Sequence, residues 1–541
     1  MPAGINKIRP IKSRWIHPRV YLGSVLCVLI CLTGCQQDRS DYALPLENGV
    51  QTVRVLYAGA NEDIFSPTWD DTPKFLIFQP LVTYEVNNCS EIVGGLAARW
   101  EHSPDWKTWT IELRPDVKWH DGVPVTSADV AFTVELSKHP EVLFYGGGEV
   151  DSIEIIDDLR FRAHLKKPGN WPLGGWPVVY PKHLLKDLDP TEFYSWDFWK
   201  QPVGNGPFRY VRHVADTMVE LEANPDYYLG QPSLDRIRIQ FKVGGQNQVG
   251  LIELLAGNVD MVHGFSPIQA GMLDDEPGLN AYYVNQAGSI WLIWNFTDPR
   301  LSDLRVRQAL AHATDRAELQ RVLGLPDRVL ITDGIFFGCD PGNIQAPAPY
   351  PYDPEHAREL LAEAGWHDSD GDGLLDRDGK PFAFTLLLES QSRMAAVFVQ
   401  DQLRQVGIDM QLQTLDRSAV IARFRAGDFE SIIVWMVGAE RMVVMKDSPL
   451  GILDDDLARA IDAAMTEPDL DLKLQKFMST GQQYKELAPA LFLQSRMTVL
   501  MADERIMGIG EPGAITQRMS WRYAFGGLEH LWVEPEGEEK P

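Results

Sequence analysis

The residues from Thr108 to Ser137 read TWTIELRPDVKWHDGVPVTSADVAFTVELS, and their apolar period changes partway along. Trp109, Ile111 and Leu113 alternate with polar residues, which is the period of a strand with one buried face. Val117 and Trp119 begin a second strand, and His120-Asp121-Gly122 make the turn that ends it. The spacing then becomes helical, with Val130, Phe132, Thr133 and Leu136 near one face. Thr126-Ser127-Ala128-Asp129 opens that helix as a capping box. The Thr hydroxyl accepts from the Asp129 amide, and the Asp side chain returns a bond. Mixed strand and helix patterns continue along the chain with no internal repeat.

At 541 residues the chain exceeds one ordinary core, so two or three domains are expected. Fifty Lys and Arg stand against 76 Asp and Glu, a net charge of −26. That balance argues against nucleic acid as a partner, because phosphate binding needs a basic face. The first 34 residues carry Lys7, Arg9, Lys12, Arg14 and Arg19 and no acid. The apolar run Val20 to Leu32 follows, too short to span a bilayer but suited to a signal-peptide core. It ends in Leu32-Thr33-Gly34-Cys35, which resembles the bacterial lipobox. Residues 1–34 are therefore expected to be a signal peptide. Cys35 is expected to be lipidated, tethering an otherwise soluble protein to a membrane of the cell envelope. Gln36 follows where an Asp often marks inner-membrane retention, so either membrane stays open. Cys27 and Cys31 leave with the signal. Cys89 and Cys339 remain in an oxidising compartment, as a disulfide or as two separate buried thiols. Residues 35–50 read as a polar linker, and residues 536–541 as a disordered tail. TVRVLYAG, from Thr52, has the alternation of an edge or first strand.

Motifs for catalysis are missing. The chain has no G-x-S-x-G elbow, no H-E-x-x-H helix and no Cys/His cluster with zinc spacing. Gly373 to Lys380 misses the P-loop spacing, and Pro381 stands where Ser or Thr belongs. The stretch DSDGDGLLDRDG suggests a calcium loop instead. Asp368, Asp370, Asp372 and Asp376 fill ligand positions and Gly373 the turn, but Gly379 stands where the closing carboxylate is needed. The following KPFAFTLLL reads as a strand, so helix–loop–helix is ruled out. An Asp/Gly hairpin that caps its own backbone is favoured over a metal site, and no cofactor is expected.

DWKTWTIELRPDVKWHDGVPVTSADVAF resembles the signature of the family 5 extracellular solute-binding proteins, the oligopeptide, dipeptide and nickel binders of ABC importers. VGNGPFRYV, ELEANPDYYLGQPSLDRIRIQF, LLAGNVDMV and WLIWNFTDPRLSDLRVRQALAHATDRAEL follow in the family's order. So do YDPEHARELLAEAGWHDSDGDGLLDRDGKPFAFTLLL, VQDQLRQVGIDMQLQTLD and LAPALFLQ.

The resemblance implies an α/β fold, a periplasmic-binding-protein-like two-lobed clamp (type II, cluster C) with an extra inserted domain. Lobe I would comprise 51–97, 203–293 and 511–535, with an inserted domain II at 98–202 and lobe III at 294–510. It implies a monomer that binds a peptide or similar small solute between lobes I and III and delivers it to an ABC permease, without catalysis. A metal chelate, a sugar, or a sensing role without transport are the alternatives.

In peptide-binding members an acidic residue after the aligned Trp435 meets the peptide ammonium. Here that segment is shortened, and Glu440 and Arg441 stand in it. Trp435, Glu440, Arg441, Trp294, Asn295 and Phe337 are the candidate ligand residues, with Phe336 and Cys339 in the same loop as Phe337. Trp119, Asp121, Thr126, Arg305, Arg307 and Asp315 read as structural.

Overall fold

A computed structural model describes residues within 46–533. Residues 1–45, 48–49, 58–73, 86–87, 143–148, 172–177, 215–216, 242–245, 274–275, 326–332, 334–346, 437–454, 513–514, 517–530 and 534–541 lie outside the description. The expectations for the signal segment, Cys35, Phe336, Phe337, Cys339, Glu440, Arg441 and the C-terminal tail therefore fall outside it. Cys89 lies on the strand Asn88–Gly94.

The TVRVLYAG segment forms β1 (Val50–Tyr57). A four-stranded antiparallel unit follows: β2 (Ala97–His102), β3 (Thr108–Leu113), β4 (Val150–Ile155) and β5 (Arg160–Leu165), in the order β2-β3-β5-β4. The helix α1 (Ser127–Ser137) lies between β3 and β4. Then come β6 (Phe208–Val214), β7 (Met218–Ala223), β8 (Arg236–Phe241), β9 (Met261–Phe265) and the sixteen-residue β10 (Leu279–Trp294). Helices α2 (Leu304–His312), α3 (Arg316–Val322) and α4 (Pro354–Glu363) precede β11 (Ala383–Glu389). After α5 (Arg393–Gln405) come β12 (Asp409–Leu415), α6 (Arg417–Ala426) and β13 (Ser431–Met436). Helices α7 (Asp455–Met465) and α8 (Leu470–Leu487) lead into β14 (Ala490–Asp503).

These strands make one mixed sheet in the order β12-β11-β13-β10-β14-β9-β1-β8-β7-β6. Of the two expectations for this segment, an edge or a first strand, the second holds: β1 is the first long strand of the chain, and it is interior, parallel to both β8 and β9. Period-two alternation reports a buried face but not the number of hydrogen-bonded neighbours. The second strand expected at Val117 gives way. It is reduced to a bridge between Lys118 and Pro124, because the turn at Asp121-Gly122 folds the chain straight back. Trp119 N–H still donates to the Val123 carbonyl at 2.7 Å.

The box at α1 is present with one change of partner. Thr126 N–H donates to Asp129 Oδ2 at 2.8 Å, and the Thr hydroxyl gives its proton to the same oxygen at 3.1 Å. The Asp129 amide binds the Thr126 carbonyl at 3.0 Å. Asp129 Oδ1 accepts from Lys182 N–H at 2.9 Å, so this buried carboxylate also ties α1 to the chain beyond residue 178.

One apolar core joins the four-stranded unit to the main sheet. Trp109, Ile111, Trp119 and Phe161 pack in the same cluster as Val53, Val55, Ile237 and Ile239. Trp199 is fully buried there. Its Nε1–H donates to the Phe193 carbonyl at 2.6 Å, and its ring meets Tyr180 edge-on. His120 adds a polar seam: its Nδ1 accepts from Gly204 N–H at 3.1 Å, which leaves Nε2–H to donate to the Gly206 carbonyl at 3.1 Å. Gly204 is required because a Cβ there would lie 1.9 Å from the Ile77 carbonyl oxygen, closer than any real contact.

Candidate functional site at the crossover strands

β10 and β14 pair antiparallel from Leu279 opposite Asp503 to Ile293 opposite Ala490. At about 3.3 Å per residue, β10 is roughly 50 Å long, well beyond a usual strand. At one end β14 pairs with β9, and at the other β10 pairs with β13. These two strands therefore run through both halves of the sheet. Their ladder breaks twice near the middle, between Asn285 and Ser289 and between Ile290 and Trp291. Irregular pairing bends strands locally, so the break marks a local bend between the two halves of the ladder.

The backbone of Trp435 lies opposite Ile290, beside the second break. Gln494 is opposite Ile290 on the other side. Its Oε1 is buried with no hydrogen-bond partner among the described residues. An unmet buried acceptor costs about 1–3 kcal/mol, which a donor from a bound molecule would recover. Sequence reasoning missed Gln494. The available signal was a single amide at the end of the otherwise apolar run ALFL.

Trp294 and Asn295 sit at the end of β10, where protein contacts occupy both side chains. Trp294 is 1% exposed and meets Phe384 edge-on at 6.3 Å. The Asn295 amide nitrogen donates to the carbonyls of Phe429 at 2.7 Å and Gly427 at 3.2 Å. Its oxygen accepts from Thr297 N–H and Oγ1. Both residues brace the second half of the sheet.

The segment holding Phe337 lies outside the described residues, but its flanks are fixed. Arg316 and Asp333, both buried, form an ion pair, and Asp333 Oδ2 accepts from Tyr350 N–H at 2.6 Å. Arg307 is structural: its buried guanidinium donates to the carbonyls of Leu301, Ser302, Leu487 and Ala488. Burial pushes its pKa down to about 10. Asp315 caps α3 by accepting from Glu318 N–H at 2.9 Å, and Arg305 pairs with Asp303 at 2.7 Å.

The acidic loop spends its carboxylates on its own backbone. Asp368 accepts from the amides of Gly371 and Gly373, and Asp372 from Leu374. Gly371 and Gly373 have φ of 80° and 85°, and Gly379 72°. Asp368, Asp370 and Asp372 gather their oxygens within 4.8 Å of one another, all three exposed. Asp376 is apart from that group, and its Oδ2 accepts from Ser369 N–H at 3.0 Å. The Ser369 hydroxyl, which donates to the same oxygen at 2.5 Å, and this amide hold the Asp376 carboxyl below the usual range.

A pair of long strands with a broken ladder thus joins the two halves of the sheet. Over residues 91–441 the chain matches the model of bacterial extracellular solute-binding proteins, family 5 Middle, and it belongs to that family. Among its relatives is the oligopeptide-binding protein AppA of Bacillus subtilis (strain 168). The two are 29% identical over 364 residues, 64% of this chain and 63% of that protein. The nickel-binding periplasmic protein of Escherichia coli (strain K12) is 24% identical over 66% of this chain and 69% of that protein. The chain thus spans about 63% of the length of the first curated relatives it matches. The solved structure of NikA from Brucella suis in complex with Fe(III)-EDTA superposes with a TM-score of 0.75. It is 22% identical and covers 89% of this chain and 100% of that one. The fold is that of the type II periplasmic binding proteins, an α/β fold. No helix among the described residues is long and apolar enough to cross a membrane.

Proposed function

We propose that this chain is the lipid-anchored, extracytoplasmic solute-binding component of an ABC importer, holding a peptide in the cleft between its two lobes and presenting it to a permease. The observation that carries this is the crossover pair β10/β14, whose ladder breaks beside Gln494 and the backbone of Trp435. A ligand touching both lobes favours the closed form by its extra contacts there. In this reading lobe I is 51–97, 203–293 and 511–535, the inserted domain is 98–202 and lobe III is 294–510. Gln494 and Trp435 face the ligand, Glu440 meets a peptide ammonium, and Arg441 or Phe337 completes the pocket. Cys35 carries the acyl chains, and the protein works as a monomer without catalytic chemistry.

Relatives named for oligopeptides support the peptide assignment. The shortened segment around Glu440, with a relative named for nickel, favours a metal chelate as the second reading. Mass spectrometry of small molecules released from protein purified out of its own cells separates the two. Recovered peptides support the first, a metal chelate replaces it with the second, and a recovered sugar defeats both.

A further inference from the structure

The four-stranded unit carries an open pocket of ≈ 550 Å³, away from the crossover strands. That is a size suited to a small molecule. Part of its lining is apolar, from Val123, Pro124, Ala128 and Leu159. Val123 remains 39% exposed, an apolar side chain left in solvent at the pocket although a large core lies beneath. Pro115 and Val125 add to the apolar part, while Thr126, Asp129, Asp158, Lys182, His183 and Lys186 are polar or ionic, and their charges are unevenly spent. Both oxygens of Asp129 are taken by Thr126 and by Lys182 N–H. His183 Nε2 lies 2.7 Å from Asp121 Oδ2. Lys182 and Lys186 also line the pocket, and among the described residues neither ammonium group has an ion pair. Asp158 is the remaining acid, exposed, with its main-chain carbonyl accepting from Ser127 N–H at 2.7 Å. Ser127, between the lining residues Thr126 and Ala128, is fully buried, and its hydroxyl lacks a partner among the described residues.

From this we infer that the four-stranded unit has a binding site of its own, for a small amphiphile with a hydrocarbon body and one carboxylate head. The hydrocarbon covers Val123, Pro124, Ala128 and Leu159, which removes apolar surface from water. The carboxylate is held by Lys182 and Lys186, whose charges are free to pair with it. Lys182 and Lys186 stand beside the apolar lining, with the carboxylates of Asp129 and Asp158 also on the pocket wall, and they supply the charge that selects an acid over a neutral amphiphile.

The test uses the full chain in phosphatidylcholine nanodiscs, with empty nanodiscs as blank. Saturation-transfer NMR follows octanoate and its neutral counterpart octan-1-ol. Wild type should bind octanoate saturably and octan-1-ol about ten-fold more weakly, because the alcohol lacks the charge. The double variant K182Q/K186Q should lose about ten-fold for octanoate and keep its octan-1-ol binding. Ala128→Phe, which fills the pocket from a half-exposed position, should remove both. If Ala128→Phe does not melt like wild type, the lysine pair alone decides. No saturable octanoate signal in wild type overturns the proposal. So does equal binding of acid and alcohol, or octanoate binding that the lysine variant leaves unchanged.

Discussion

On one side of the crossover strands, one large apolar core runs from the four-stranded unit into β1, β7 and β8, and a smaller one with Leu56, Val262, Phe265 and Met501 covers the opposite face of β1 and β9. On the other side, two cores lie on opposite faces of β10, β11 and β13. Trp294, Phe384, Leu386 and Ile433 belong to one, and Trp291, Leu387, Ile432 and Phe492 to the other. The neighbours Leu386 and Leu387 thus face different cores, as the period of a strand requires. The first side therefore behaves as one body with the four-stranded unit fused into it, and the second as a body of its own. Close-packed cores move as units, so bending concentrates at the irregular β10/β14 ladder.

Substituting the largest buried ring on each side should break this comparison most severely. Trp199→Ala should destabilise by about 3–5 kcal/mol. Its mark would be faster amide hydrogen exchange in both Thr108–Leu113 and Arg236–Phe241, because the two segments share a core. Trp294→Ala should cost a similar amount but speed exchange in Ala383–Glu389 and Ser431–Met436, leaving Thr108–Leu113 protected. Exchange that spreads equally in both variants would mean that the two bodies are one.

The seam at His120 gives a smaller, pH-dependent effect. Burial pushes its pKa down to about 4, against a hydrogen bond to Gly206 that opposes the shift. Above the unfolded value near 6.5 the ring is neutral in both states, and its contribution is fully present. As pH falls from there toward 4 the unfolded chain takes up the proton first, so stability is lost across that window. The loss should be about 2–3 kcal/mol, read from urea unfolding at pH 7.5 and pH 4.5. His120→Gln should flatten this part of the profile, and an unchanged slope would remove His120 from the seam.

Asp129→Ala should cost about 1–2 kcal/mol in thermal unfolding, since it removes the return bond of the cap together with the Lys182 contact. The smallest stability effect is expected at the hinge. Gln494→Met removes an unmet acceptor and should leave stability within about 1 kcal/mol of wild type. The same change should reduce the rise in melting temperature produced by the cleft ligand. An undiminished rise would take Gln494 out of the binding site.

Local patterns were legible where one face of an element is buried. β3, the capped α1 and the Asp/Gly hairpin each carry their reason within a few residues. Such features depend on backbone geometry and neighbouring side chains. The interior position of β1 was not legible, because alternation alone cannot count a strand's neighbours. Trp294 and Asn295 looked like cleft residues for a related reason. Their place at the end of a crossover strand is visible in the motif, whereas their partners Phe384, Gly427 and Phe429 are distant in sequence. Gln494 was passed over because an amide in a strand becomes notable only when its surroundings offer no donor.

The sequence by itself determined the family and with it the α/β class, since motifs in a constant order survive wherever local turns, caps and strands must. It also determined the net charge of −26 and the acidic hairpin. Only the tertiary structure decided that the four-stranded unit shares its core with the main sheet. It alone placed Gln494 beside the ladder break and set two lysines against an apolar pocket. Those facts depend on which residues meet across long stretches of chain, and packing settles that in three dimensions, where no local pattern records it.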